Sequence, residues 1–463
     1  MNATVIKNFI NNEFVESEGN KTFSKFSPFD GAELAQVSEA SAFDLIKSIQ
    51  AAKKAVVTFE TVTREQRATL LKSVAAYFES HKNEISFQEA LYQGLSQEFV
   101  LINSVQVAIR TLNETAESLL HSKTLESQVR ATGLIGIITP WALSLRMVVD
   151  RLAPALAAGN SVVIKVSEQS PITTQILGEA LLAANCPAGL VNILNAGAEV
   201  GQMLAGHPGV RAISFAGSNA TMESVATAGL KQFKKLQLSG AAKNSGLVLG
   251  DVDFKTLMPE ILRPFLMGQA QTCWNVSRLF VLESVHLEFY EAVKEYLAKL
   301  EPSRGPKDAS PWTPLIAAQA STVLDEKIQL AKSEHGKILS GAEAYSGNGF
   351  FHKPAVMIDL TNCSVFQQDE VQGPLLLITP VKYQHEMLKW TNTSYLGQGA
   401  VVWGSAEKAN KVIPKLECSQ VWLNDWMNGS EKSLFGHKQS SFGNPDMNWD
   451  GTFYSDVKSL TGA

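Results

Sequence analysis

From residue 132 onward the sequence alternates short β-branched runs with segments of helical periodicity, and this alternation restricts the fold more than any other feature. Leu134–Ile138 and Ser161–Ile164 are apolar almost throughout, which is typical of strands buried on both faces. Helical patterns over 171–184 and 198–206 separate such runs. Because parallel strands need crossover connections, we predict a parallel sheet with helices on both faces. Further predicted strands are Val191–Leu194, Ala212–Phe215 and Leu247–Leu249.

Apolar residues at helical spacing also occur before residue 132 and again in the second half of the chain. Apolar residues recur three and four apart within 42–59, and again from Ala68 to Phe78 after the N-cap sequence Thr63-Arg-Glu-Gln. We therefore predict mostly surface helices over roughly the first 100 residues. A renewed alternation that includes a helical pattern at 319–334 predicts a second α/β domain.

Composition and charge restrict the class of protein and its partners. The 463 residues are 45% hydrophobic and 18% charged, which is typical of a globular chain of two or three domains. A net charge of −5 without a basic cluster argues against nucleic acid. The apolar stretch Gly133–Leu145 is broken by Pro140 and is shorter than the roughly 20 residues of a membrane helix. Since Met1–Phe14 also lacks a signal-peptide pattern, we expect a cytoplasmic protein without a membrane partner.

The four cysteines are isolated and have no zinc-ligand spacing, so we expect neither a structural metal nor a disulfide framework. Cys273 lies in a polar segment with Arg278 five residues later. A nearby positive charge lowers a thiol pKa from about 8.5 and makes the thiol nucleophilic; the alternative is a buried, inert cysteine. We interpret Cys186, Cys363 and Cys418 as inert.

The sequence contains no G-x-G-x-x-G motif, but Phe215-Ala-Gly-Ser218 joins a predicted strand to a predicted helix. That position places backbone N–H groups and the Ser218 hydroxyl at a helix N-terminus suited to phosphate. The alternative is an ordinary turn with Ser218 as the N-cap residue.

Several segments, in order, resemble the aldehyde dehydrogenase superfamily, and the resemblance covers essentially the whole chain. The N-terminal and C-terminal matches are Phe9–Phe14, Lys438–Ser440 and Phe453–Lys458. The central matches are Thr139-Pro-Trp-Ala-Leu143, Leu152–Pro171, Phe215-Ala-Gly-Ser218, the Cys273 segment and Glu370-Val-Gln-Gly-Pro374.

The resemblance implies an α/β fold with two doubly wound parallel-sheet domains plus a small β oligomerisation element. It divides the chain into a nucleotide-binding domain (1–111 and 132–240), a catalytic domain (241–435) and an oligomerisation element (112–131 and 436–463). A homodimer or homotetramer is expected.

The resemblance also assigns cofactor-binding residues. Lys165 and Glu168, with Ser167 beside them, would bind the adenosine ribose. An acidic residue at position 168 accepts hydrogen bonds from a free 2′-hydroxyl and repels a 2′-phosphate, which favours NAD over NADP.

The rest of the cofactor path follows from the same likeness. Trp141 and Ser218, with Phe215 and Gly217, would line the pyrophosphate and nicotinamide path. Glu370 would hold the nicotinamide ribose.

By the same likeness Cys273 is the nucleophile that converts a small aldehyde into a thiohemiacetal, from which hydride transfer to NAD gives a thioester. Two of the family's helper residues differ here. Ala142 stands at the usual oxyanion Asn, and Ser239, four residues before Lys243, stands at the usual general-base Glu. Since neither side chain can replace these functions, we expect slow release of the acyl group.

Other interpretations remain open. The acyl group could pass to coenzyme A, because Ala242-Lys-Asn244 is similar to the acylating semialdehyde branch, which also lacks the Glu. The chain could instead be a non-catalytic paralogue that acts as a scaffold.

Arg146 and Asp150 occupy positions where family members mostly have apolar residues, and Ala270 and Gln372 replace the family's usual Gly and Phe. Arg146 and Asp150 form either a local i,i+4 ion pair or part of the substrate tunnel, in which case a polar or cationic substrate is expected.

Overall fold

The computed structural model describes residues 4–123, 129–343, 345–429, 435–443 and 447–457. Over these residues it confirms the predicted α/β fold with two large, mainly parallel sheets. The strands are β1 Thr4–Ile6, β2 Asn8–Ile10, β3 Glu13–Val15, β4 Thr22–Phe26, β5 Glu33–Ser38, β6 Val129–Ala131, β7 Leu134–Ile138, β8 Ser161–Val166, β9 Val191–Asn195, β10 Ala212–Ala216, β11 Lys235–Ser239, β12 Asn244–Val248, β13 Val276–Leu282, β14 Lys337–Ser340, β15 Ala355–Ile358, β16 Leu375–Val381, β17 Leu396–Gly397, β18 Gly399–Trp403, β19 Gln420–Leu423, β20 His437–Lys438, β21 Ser441–Gly443 and β22 Ser455–Val457.

Helices cover both large sheets. The helices are α1 Ala42–Phe59, α2 Arg64–Gln93, α3 Gln97–Val100, α4 Gln106–His121, α5 Ser144–Ala157, α6 Ile172–Ala183, α7 Ala198–Gly206, α8 Asn219–Leu230, α9 Phe254–Leu266, α10 His286–Ala298, α11 Ala318–Ser333, α12 Val365–Gln368, α13 Gln384–Asn392 and α14 Ala406–Val412, with a π-helical segment at Leu101–Val105 and 3₁₀ turns at Met267–Ala270 and Ile413–Lys415. None of the helices in the described residues is long and apolar enough to cross a bilayer.

The first large sheet has the strand order β21-β11-β10-β7-β8-β9-β2-β3. Strands β7 to β11 are parallel to their neighbours in this run, whereas the outer strands β2, β3 and β21 are antiparallel. The carboxyl ends of the parallel strands therefore lie at one edge. Binding sites of open α/β sheets form at this edge.

The second large sheet has the order β14-β15-β16-β13-β12-β18-β19 and is parallel except for β14. It begins at Asn244, directly after the first sheet's β11 ends at Ser239. Cys273 lies just before β13. The ends of β11 and the start of β13 are thus close to the junction between the sheets.

A short segment near the C-terminus pairs with the edge of the first large sheet and with β17, which directly precedes β18 of the second large sheet. Strand β20 pairs with β17, and β21 pairs with β11 at the edge of the first sheet. Between them, the buried Ser440 accepts a hydrogen bond from Gly397 N (3.0 Å) and donates one to Ala241 O (2.7 Å). Its carbonyl accepts a third bond, from Gly240 N (2.9 Å). We call residues 435–443 the strap.

The predicted helix at 42–59 is confirmed, and the predicted cap at Thr63 forms a capping box with Gln66. The expectation of mostly surface helices over the N-terminal region is wrong for residues 4–38, which contain the five strands β1 to β5. Three of these strands are only three residues long, which is too short to show a period of two. Asn11 and Asn12, which break the apolar pattern, adopt positive φ values of 55° and 64° and form the β2–β3 hairpin turn.

The strands predicted from residue 132 onward are found within two residues of their expected ends, except for one. Strand β12 is Asn244–Val248 rather than Leu247–Leu249. Its first half, Asn-Ser-Gly, lacks β-forming side chains and is held in the sheet by pairing with β13 and β18.

Strand β22 lies within the segment Phe453–Lys458 that resembles the family, and it pairs antiparallel with β6 of the same chain. Lys458, the last residue of that segment, lies outside the described residues. The division of the chain into nucleotide-binding, catalytic and oligomerisation parts stays a prediction.

Asn160 joins the tail to the first sheet, and its side chain is fully buried. Its amide nitrogen donates to Ala155 O (3.0 Å) and Tyr454 O (2.9 Å), and its oxygen accepts from Gly133 N (2.8 Å). Removing this side chain leaves buried backbone groups without partners, which costs about 1–3 kcal/mol each when water cannot replace it.

We therefore expect Asn160→Ala to lower the free energy of unfolding by about 3 kcal/mol, measured by urea denaturation. Asn113→Ala, the same change on the exposed face of α4, is the control and should alter it by less than about 0.5 kcal/mol. Equal effects of the two substitutions would contradict this interpretation of the tail.

Candidate active site

A cavity of about 220 Å³ lies where the carboxyl ends of the first sheet meet the start of β13. It brings together most of the site residues predicted from the sequence. Those lining it are Trp141, Ala142, Gly217, Ser218, Ser239, Cys273 and Glu370. The remaining predicted site residues, Lys165, Ser167, Glu168 and Phe215, lie outside it.

Lys165 and Glu168 form a second group at the end of β8. Their side chains make an ion pair of 3.2 Å, with Lys165 buried and Glu168 42% exposed. The backbone at Gly197 and Gly201 approaches them, since a Cβ there would lie 3.6 Å from Glu168 Oε1 and Lys165 Cδ, respectively. Beside them, Ser167 Oγ accepts a bond from Gln169 N (3.2 Å).

The turn from β10 to α8 forms one wall of the cavity. Ser218 is the N-cap residue of α8, and its hydroxyl accepts a hydrogen bond from Thr221 N (3.3 Å). A Cβ on Gly217 would lie 2.6 Å from the Phe215 ring, so the turn requires glycine. Phe215 itself is buried beneath the turn. The N-terminus of α8 therefore begins beside the cavity, since Gly217 and Ser218 both line it.

The segment before Cys273 has an unusual backbone. Gly268, Gln269 and Ala270 have φ values of 65°, 49° and 53°, a left-handed run that costs energy for the two non-glycine residues. Hydrogen bonds hold it: Thr313 Oγ1 accepts from Gly268 N (3.0 Å), and Gln269 Nε2 donates to His352 O (3.0 Å).

The side chain of Asn244 holds the backbone of Cys273 and of the residues that follow it. Its amide nitrogen donates to Cys273 O (2.9 Å) and Asn275 O (3.0 Å), and its oxygen accepts from Gly399 N (2.8 Å). Asn244 therefore holds the Cys273 segment in place.

The electrostatics of the Cys273 thiol combine opposing effects. Burial, followed by the negative charge of Glu370, raises the pKa of Cys273 to about 12, while Arg146 and Arg151 oppose the rise. Arg278, expected to supply the positive charge, instead donates to Lys243 O (2.8 Å) and Gln367 O (2.9 Å). That expectation was wrong because successive side chains of β13 point to opposite faces, and this one is buried in the sheet.

Arg146 and Asp150 form the local ion pair, with Nε and Oδ2 3.4 Å apart. Asp150 also accepts a bond from Thr111 Oγ1 (2.7 Å), and the Arg146 guanidinium stacks over the Trp274 ring at 4.8 Å. Neither side chain lines the cavity formed by the described residues. The structure thus favours the ion-pair interpretation and gives no support to a cationic substrate.

Two site-supporting residues could not be recognised from the sequence. Glu89 and Gln93 are fully buried on α2. Glu89 Oε1 accepts from Leu145 N (3.0 Å) and Gln93 Oε1 accepts from Leu143 N (2.8 Å), so they hold the loop that follows Trp141. Burial raises the pKa of Glu89. Their i,i+4 spacing was the sole signal, and exposed helix faces show the same pattern.

Glu370 lines the cavity from the segment between α12 and β16. Its Oε1 accepts a bond from Ala242 N (3.0 Å), and its Oε2 accepts from Gln372 Nε2 (3.4 Å). Burial raises the pKa of Glu370, against the effect of these bonds and of the Lys243 charge. Burial and then Arg278 lower the pKa of Lys243 to about 7.

The chain belongs to the aldehyde dehydrogenase family, whose sequence profile matches residues 14–460. It is 28% identical to the 2-hydroxymuconic semialdehyde dehydrogenase of Pseudomonas sp. (strain CF600), over 98% of this chain and 99% of that protein. It is also 28% identical to the human 2-aminomuconic semialdehyde dehydrogenase, over 99% and 98%. The aldehyde dehydrogenase of Bacillus cereus, solved as an NAD⁺ complex, superposes with a TM-score of 0.90 at 25% identity, covering 98% of this chain and 96% of that chain.

The raised pKa of Cys273 gives a prediction for the free protein. Below its pKa the thiolate fraction rises tenfold per pH unit, so alkylation of Cys273 by iodoacetamide should accelerate about tenfold per unit from about pH 7 to about pH 10. Peptide mapping by mass spectrometry measures the rate at this cysteine. A short cysteine peptide with blocked termini, whose thiol pKa is about 8.5, is the reference whose rate levels off earlier. A plateau at Cys273 below about pH 9 would contradict the assignment.

Proposed function

We propose that this protein oxidises a small aldehyde with NAD through covalent attachment of the substrate to Cys273. One observation carries the proposal: the thiol, Glu370 and the Ser218 turn line a single cavity at the carboxyl edge of a doubly wound sheet. Family membership and the NAD⁺ complex of the B. cereus relative support the same chemistry.

The side chains and backbone groups at the end of β8 and around the cavity are suited to binding NAD. Glu168 offers a half-exposed carboxylate for a ribose 2′-hydroxyl, and the Ser218 turn offers backbone N–H groups for the pyrophosphate. Glu370 lines the same cavity and suits the nicotinamide ribose. When bound, NAD supplies the acceptor for the hydride that leaves the substrate.

Cys273 supplies the covalent chemistry. Its thiolate attacks the aldehyde carbon to give a thiohemiacetal, which loses hydride to become a thioester. Arg146 and Arg151 favour the thiolate electrostatically, and bound substrate or cofactor must overcome the rest of the burial cost. Because Ala142 donates no hydrogen bond, backbone N–H groups carry the stabilisation of the oxyanion.

Release of the acyl group is the expected slow step. Ser239 lines the cavity at the position where the resemblance places the family's general base. A hydroxyl is no base near neutral pH, so the Cys273 thioester should accumulate. We also infer a homodimer or homotetramer, as the family resemblance implies.

Mixing the protein at near-stoichiometric concentration with NAD and an aldehyde panel tests this function. The panel includes acid semialdehydes, because two similar relatives are semialdehyde dehydrogenases. We expect a burst of NADH fluorescence of about one equivalent and an acyl adduct on Cys273 in the intact mass. Cys273→Ala should abolish both, while Cys363→Ala, a change at an exposed cysteine, should alter neither.

Two outcomes of this experiment would change the proposed function. Turnover only after coenzyme A is added would identify coenzyme A as the acyl acceptor. Folded protein that forms neither NADH nor an adduct would favour a non-catalytic scaffold.

Restoring the missing donor should accelerate the burst. Ala142→Asn adds a side-chain amide to the cavity wall, and an oxyanion donor is worth about a hundredfold to a thousandfold in rate. Stopped-flow NADH fluorescence should therefore show a burst at least about a hundredfold faster. Ala142→Leu, of similar size but without a donor, should give no acceleration. If Ala142→Asn also leaves the rate unchanged, oxyanion stabilisation does not depend on this position.

A further inference from the structure

The proposed function leaves one chemical requirement unassigned. A thioester on Cys273 needs water and a group that takes a proton from that water. Ser239 cannot take it. Among the described residues that line the cavity, Glu370 is the one carboxylate.

The surroundings of Glu370 suit proton transfer. Each carboxylate oxygen accepts a single hydrogen bond, from Ala242 N (3.0 Å) or Gln372 Nε2 (3.4 Å), which leaves lone pairs for water. Among the described residues, the charged or titratable groups that act on it are Lys243 and the Cys273 thiol. Burial raises its pKa, which brings the proton affinity of the carboxylate closer to that required near neutral pH.

We propose that Glu370 is the general base for hydrolysis of the Cys273 thioester, an inference that rests on the proposed function. Glu370 accepts a proton from water as the water oxygen bonds to the thioester carbon. The tetrahedral adduct then breaks its C–S bond and expels the Cys273 thiolate, releasing the carboxylic acid. Glu370 returns its proton to the thiolate, which regenerates the starting state.

The same carboxylate thus acts twice in one cycle. While the nicotinamide ribose is bound, Glu370 holds it; once the ribose has left, the carboxylate is open to water. The assay for the base must therefore omit NAD, so that loss of ribose binding cannot affect the result.

Acetyl-enzyme made with p-nitrophenyl acetate meets this requirement. The protein is acetylated without NAD and desalted, and loss of the acetyl group from Cys273 is followed by intact mass and peptide mapping. We expect Glu370→Gln to form the adduct but to lose it about a hundredfold more slowly than the parent protein. Asp369→Asn, a change at the neighbouring exposed carboxylate, should leave the decay unchanged.

Two further measurements separate a base from a structural role. The decay rate of the parent adduct should rise with pH through a single ionisation, and this rise should be absent in Glu370→Gln. Adding Ser239→Glu to that variant places a carboxylate at another position that lines the cavity and should restore the decay.

Decay in Glu370→Gln that matches the parent in rate or in pH profile would overturn the role of Glu370 while leaving Cys273 as nucleophile. Absence of acetylation at Cys273 in the parent protein would overturn the proposed function, and this inference with it.

Discussion

A buried carboxylate, Glu89, organises the centre of this protein. It accepts the backbone N–H of Leu145 in the first turn of α5, a helix whose every residue is buried. Without Glu89 and Gln93, the N–H groups of the loop after Trp141 would be buried without partners, at about 1–3 kcal/mol each. The position of the cavity wall therefore depends on a helix far away in sequence.

Because α5 is fixed in this way, it can place two guanidinium groups close to the thiol. Arg146 and Arg151 are both buried, and each favours a negatively charged Cys273. Desolvation and Glu370 act in the opposite direction and are stronger in the free protein. The Cys273 thiol of the free protein is thus held largely protonated. Such a resting state protects a buried thiol from oxidation, which depends on thiolate character.

The sequence predicts the fold well where secondary structure is periodic. Buried strands such as β7 and the amphipathic helix α1 have the expected ends, because their hydrophobic patterns follow directly from burial. The N-terminal strands escaped prediction because three-residue strands in a hairpin are defined by pairing with distant partners, as Phe9 pairs with Ile193. Such pairing leaves no local pattern.

Prediction of the candidate site had the same limit: residues at strand ends could be placed, whereas residues whose partners come from distant elements could not. Ser239 at the end of β11 and Ser218 just after β10 could be placed because the carboxyl ends of parallel strands converge. The role of Arg278 could not be predicted, since its direction depends on the pleat of β13 and its partners come from other elements. Glu89 shows the same limit: a charged residue on a helix gives no sign, in sequence, that it is buried.

The strap has a mechanical consequence. Ser440 bonds to the connection between the sheets on one side and to Gly397 on the other, and β20 and β21 extend this pairing in both directions. Moving the sheets apart would break all of these bonds together. The strap therefore opposes separation of the two sheets beside the cavity.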